Sequence, residues 1–102
     1  MMLSNLFGLA RANGLNVVLS DLGAGDGWEL RAEYDPKELQ IRINTRVISR
    51  MRGDEARVFV AQAIAHELYH HLEHCREGLR ANRRVSEVQA SRFAQTLLWA
   101  LA

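Results

Sequence analysis

The apolar residues change period along the chain, and each period predicts an element. Leu3, Leu6, Phe7 and Ala10 recur at helical spacing over residues 2–13, where Ser4 or Asn5 can cap the start and Gly14 fits just past the end. Residues 15–22, LNVVLSDL, are apolar and partly β-branched, which favours a strand. The glycines of 23–27 then mark a turn. In WELRAEYD (28–35), Trp28, Leu30, Ala32 and Tyr34 alternate with Glu29, Arg31, Glu33 and Asp35, the pattern of a half-buried strand. Asp35-Pro36 predicts a turn. Alternation resumes over 38–47, with Leu39, Ile41 and Ile43 on one side and Gln40, Arg42 and Asn44 on the other. Three successive strands with short connections predict an antiparallel meander.

After a break at Arg50–Gly53 the period becomes helical. Asp54 or Gly53 can cap a long helix whose apolar positions are Ala56, Phe59, Val60, Ala63, Ile64, Leu68 and Leu72, with Gly78 ending it. Residues 79–84 form a basic connector. A final helix runs from Val85 to Ala102, with Val88, Phe93, Ala94, Leu97, Leu98 and Leu101 as its core side. Ser86 and Gln89 have capping-box spacing; alternatively the helix starts earlier and Glu87 lies inside it. The expected architecture is a single α+β domain over 1–102: a first helix, a three-stranded antiparallel sheet, a long helix and a C-terminal helix.

Composition narrows the setting. A chain of 102 residues, 48% hydrophobic, can build one modest core. Its net charge of +1 implies no global attraction to nucleic acid or to a membrane surface. Cys75 is the only cysteine, so no disulfide can form within the monomer and a reducing compartment is expected. The N-terminal residues make a poor signal peptide, and no apolar run reaches the roughly 18 residues of a membrane span. A cytoplasmic protein is expected.

The chemistry is concentrated in the long helix. His66-Glu67-Leu68-Tyr69-His70 is an HExxH motif. Histidines four apart lie on one helix face, about one turn apart, so both imidazoles can reach one Zn2+ ion. Glu67 falls beside that ion, where it can exchange a proton with a water molecule. Catalytic zinc sites have three protein ligands, so a third is needed. The extension HExxHxxGxxH fails, because Glu73 and Arg76 stand at its glycine and last histidine. Glu73 is about 10 Å along the axis from His66, close enough to His70 to support it but not to ligate beside both; His74 has the same problem. Cys75 lies on roughly the opposite face and reads as a packed thiol. Glu87, 17 residues after His70, can return on a second helix as the third ligand; its other reading is a first-turn glutamate favouring the helix dipole.

At these residues the chain resembles the ImmA/IrrE-type metallopeptidases, whose HExxH helix is followed by a helix with a Glu-x-x-Ala-x-x-Phe-Ala pattern. Here the pattern is Glu87, Ala90, Phe93 and Ala94. The strand IRIN (41–44) and the extra His71 and His74 are also similar. Ser91 stands where the family often has Asn, and Tyr69 where it usually has a small residue. The resemblance covers roughly residues 38–99. It implies a minimal zincin-like, gluzincin-type fold, with His66, His70 and Glu87 as zinc ligands and Glu67 as general base. It further implies intracellular cleavage of a protein substrate, in known members often a helix-turn-helix repressor, in stress responses or mobile-element regulation.

The expected activity is therefore zinc-dependent endopeptidase. A substrate strand is expected to add to a sheet edge at 39–45, and Tyr69 and His71 are weak candidates for a second oxyanion donor. The alternative is a metal-binding module that binds a repressor without cutting it. Arg76, Arg80, Arg83 and Arg84 read as a solvated basic face, which gives direct nucleic-acid binding little support.

Overall fold

The computed structural model describes residues 2–76 and 83–101. Its elements are α1 (Met2–Ala12), β1 (Asn16–Ser20), β2 (Ala32–Asp35), β3 (Gln40–Asn44), α2 (Thr45–Ile48), α3 (Gly53–His74) and α4 (Arg83–Leu101). The α+β order agrees with the sequence pattern, but the strand pairing does not. The sheet order is β1-β3-β2, with β3 parallel to β1 and antiparallel to β2. The expected antiparallel meander is thus corrected to a mixed sheet. Alternation assigns side chains to faces and is silent on strand order. Residues 21–31 carry the chain past the central position, so β2 forms at the far edge and the turn 36–39 returns β3 to the middle.

That turn is built by Asp35, whose Oδ1 accepts from the backbone N–H groups of Lys37 and Glu38 at 2.8 and 3.1 Å. Leu39 closes it at φ 53°, in the left-handed region. Because β3 is paired on both sides, residues 39–45 are not an exposed edge, contrary to expectation. The strand edge beside the cleft described below is that of β2.

All three predicted strands are shorter than their patterns. Trp28 and Leu30 lie outside β2 and are exposed, Trp28 being 58% accessible. Beyond Asn44 the chain turns into α2, which the sequence reading takes as strand. Asn44 accounts for the change. Its Oδ1 accepts from Arg46 N at the start of α2 and from Leu22 N, while its Nδ2 donates to Gly23 O and Leu30 O. One buried amide thus caps a helix and pins both ends of the loop that leads to β2.

The core gathers Leu6 and Ala10 of α1, Ile41 and Ile43 of β3, and Ala61, Ile64, Ala65 and Leu68 of α3. Ala63, Ile64 and Ala65 are buried in succession, so α3 is covered on more than one face. Its alanines let neighbouring backbones approach closely. Helix α4 buries Ala90 and Ala94 and lays Leu97, Leu98 and Leu101 against the core, but Val88 is half exposed, contrary to its expected core role. The first helix ends as anticipated: Gly14 adopts φ 80° and Leu15 N donates to Ala10 O. Helix α3 starts with Arg52 at its cap position and ends at His74; Gly78 and Arg80 lie outside the described residues.

Because Asn44 is fully buried, Asn44→Ala strands two donors and two acceptors. The expected loss is about 3 kcal/mol of unfolding free energy in urea denaturation. A loss below about 1 kcal/mol would contradict this account.

Candidate metal centre

Helix α3 presents His66, Glu67 and His70 into an open cleft of about 1010 Å³, bounded by residues 29–34 on one side and by α4 on the other. The two helices run antiparallel, because Glu73 meets Ser86 while Tyr69 meets Gln89 and Phe93. That pairing brings Glu87 opposite the two histidines. Its Oε2 lies 3.0 Å from Nε2 of His66 and its Oε1 3.0 Å from Nε2 of His70. Glu87 is the fifth residue of α4, past the first turn, so the helix-dipole reading of this residue loses its basis.

These spacings suit a metal ion. Zinc ligands at about 2.0–2.1 Å in a tetrahedron stand roughly 3.4 Å apart. Each oxygen–nitrogen pair of Glu87 with a histidine stands a few tenths of an ångström closer than that, so a small separation would admit an ion between them. Two imidazoles and a carboxylate are the ligand types that zinc takes at catalytic centres. Side chains of both histidines are mostly shielded, at 25% and 18% exposure.

Glu67 also brings an oxygen within 4.8 Å of the histidine nitrogens. As the immediate neighbour of His66 it leaves the helix about 100° further round, so it flanks the ligand pair instead of facing it. It is buried, and burial, with the charges of Glu87 and Glu33, raises its pKa from 4.5 to about 7. Burial in turn lowers the pKa of His70, against the opposing pull of Glu87 and Glu73, which favours the neutral, ligating imidazole.

The surrounding side chains divide clearly. Ser86, read as a possible cap, sits inside α4 and is buried; its Oγ donates to Glu73 Oε1 at 2.6 Å and lies 3.3 Å from His70 Nδ1. Nothing in the sequence pattern distinguishes it from a cap. Glu73 is 4.0 Å from the same Nδ1, beside His70 as expected. His71 is buried and shares a 2.7 Å hydrogen bond between its Nδ1 and the Tyr34 hydroxyl, tying α3 to β2; it does not line the cleft. Tyr69 donates from its hydroxyl to Gln89 Oε1 at 2.7 Å and packs on Phe93, so it serves the helix contact. Cys75 is exposed, with Sγ 3.7 Å from His71 Nε2, which corrects its reading as a packed thiol: it lies just past the last turn of α3, where no described residue covers it. His74 is exposed. Arg83 and Arg84 belong to the first turn of α4 rather than to a connector.

No helix among the described residues is long and apolar enough to cross a membrane. No family model, curated protein or solved structure matches the chain.

The raised pKa of Glu67 has a consequence for the metal-stripped protein. The folded state favours the protonated carboxyl, so the stability it contributes is full below pH 4.5 and is lost as pH rises through about 7. Glu67→Gln removes this penalty. At pH 8 the metal-free variant should exceed metal-free wild type by on the order of 2 kcal/mol, with the gap closing near pH 4.5. Urea melts at the two pH values check this; a variant no more stable than wild type at pH 8 would contradict it.

Proposed function

We propose that the chain is a zinc-dependent endopeptidase of the ImmA/IrrE type, with a zincin-like domain acting on a protein substrate in the cytoplasm. One observation carries the reading: the two oxygens of Glu87 each stand 3.0 Å from Nε2 of a different HExxH histidine. His66, His70 and Glu87 would hold the ion. When bound, zinc supplies Lewis-acid polarisation and lowers the pKa of a coordinated water toward neutrality.

The chain's own residues do the rest. Glu67 is positioned beside the ligands to take a proton as a peptide carbonyl is attacked and to return it to the departing amine. Its pKa near 7 belongs to the metal-free chain; the charge of a bound ion would lower it and leave Glu67 as the carboxylate that accepts the proton. Glu33, whose Oε1 accepts from Arg42 at 2.8 Å, adds negative charge behind it.

Substrate orientation falls to β2. This strand pairs on one side only, with β3, and residues 29–34 border the cleft. An extended peptide can add there through main-chain hydrogen bonds, with its scissile bond over the ligand cluster. The Tyr34–His71 hydrogen bond holds that edge in register with α3. A helix-turn-helix repressor is the substrate class that the family resemblance suggests; such a protein would have to offer an extended segment to the cleft.

Purified protein is expected to carry about one zinc per chain, and Glu87→Ala to lose it. Glu67→Gln should keep the zinc and cut any helix-turn-helix repressor that the wild type cleaves at least about 100-fold more slowly. Full zinc retention in the Glu87 variant would remove that residue from the ligand set. Undiminished cleavage by the Glu67 variant would refute the general-base role. Zinc bound without cleavage by wild type would favour a metal-binding module that docks a repressor.

A further inference from the structure

We infer that Ser86, backed by Glu73, is a positioning residue that fixes the ring and tautomer of His70 for metal binding; the inference rests on the metal-centre reading above. The hydroxyl of Ser86 is buried between two groups, with Oγ 2.6 Å from Glu73 Oε1 and 3.3 Å from His70 Nδ1. A serine hydroxyl has one proton, and a carboxylate can only accept. The short contact to Glu73 therefore takes that proton. Only lone pairs of Oγ remain toward His70, so Nδ1 must be the donor. An imidazole with its proton on Nδ1 presents a lone pair at Nε2, the nitrogen 3.0 Å from Glu87 Oε1.

Glu73 cannot do this alone. At 4.0 Å its oxygen is beyond hydrogen-bond reach of Nδ1, and Ser86 bridges the gap. The arrangement also explains why Glu73 is a carboxylate at a half-buried position: its charge holds the serine proton in one direction. Helix α3 supplies His70 and Glu73 one turn apart, and α4 supplies Ser86 and Glu87 side by side in sequence. A single docked turn of α4 thus delivers both the third ligand and the group that orients the second. Partners of this kind commonly set metal affinity by 10–100-fold.

The test measures Zn2+ dissociation constants by chelator competition for wild type, Ser86→Ala, Ser86→Thr and Glu87→Ala. Ser86→Ala should bind about 10–100-fold more weakly, whereas Ser86→Thr, which keeps the hydroxyl, should stay within about threefold of wild type. In zinc-loaded wild type, the His70 Nδ1–H proton should exchange slowly enough to be seen by nitrogen-resolved NMR. That reading does not depend on any variant folding. Wild-type affinity in Ser86→Ala, beside loss in Glu87→Ala, would overturn the inference and leave the metal centre standing; so would a rapidly exchanging Nδ1–H. A wild-type chain that takes up no zinc would instead overturn the metal-centre reading itself.

Discussion

The docking of α4 on α3 is the contact on which the cleft depends. Each helix alone carries half of the proposed ligand set. On α3, two imidazoles stand at the spacing of one turn, with no carboxylate able to face them both. On α4, Glu87 stays half exposed even in the folded chain and reaches the histidines only because the helices pack. Buried Ala90 and Ala94 on one side, with Ala61, Ala63 and Ala65 on the other, keep side-chain bulk low in the core that the helices share. Tyr69, stacked near Phe93 and bonded to Gln89, fixes the sliding position of one helix on the other. A shift of one turn, about 5.4 Å, would remove Glu87 from both histidines.

Proton bookkeeping gives that contact its chemical meaning. On the tautomer inferred from Ser86, with the proton of His70 at Nδ1, a bare Nε2 confronts a carboxylate oxygen at 3.0 Å. Two lone pairs at that distance repel, and a cation between them turns repulsion into attraction. At His66 the other oxygen of Glu87 stands at the same distance from Nε2. Here one carboxylate spans both nitrogens, which is the arrangement a divalent ion stabilises. Glu67, flanking the pair in a buried position, is the group whose charge state is most open to adjustment by that ion.

The sheet contributes position rather than chemistry. Asn44 pins the loop before β2, and the Asp35 turn sets the hairpin behind it. Arg42 of the central strand pairs with both Glu33 and Asp35 on β2, so the edge strand is tied to its neighbour on its polar face as well as through the backbone. Tyr34 then reaches across to His71. The edge strand is therefore anchored at both ends and to α3, while no described strand pairs with its outer side.

Some of this was determined by the sequence alone. The helical period and the HExxH spacing place His66, Glu67 and His70 within one turn of helix, because short-range geometry on a helix is nearly fixed by 100° per residue, whereas Glu87 is a candidate from sequence that the packing of α4 brings opposite the two histidines. The element types and their order along the chain followed from periodicity, although the short helix after Asn44 did not. Strand order, the identity of the free edge, the exposure of Val88 and Cys75 and the role of Ser86 were decided only by tertiary structure. Each depends on what lies opposite a residue across the fold. The pattern of Ser86 and Gln89 fits a cap as well as it fits a buried hydroxyl between Glu73 and His70. Periodicity states which face a side chain leaves from; only packing states what it meets there.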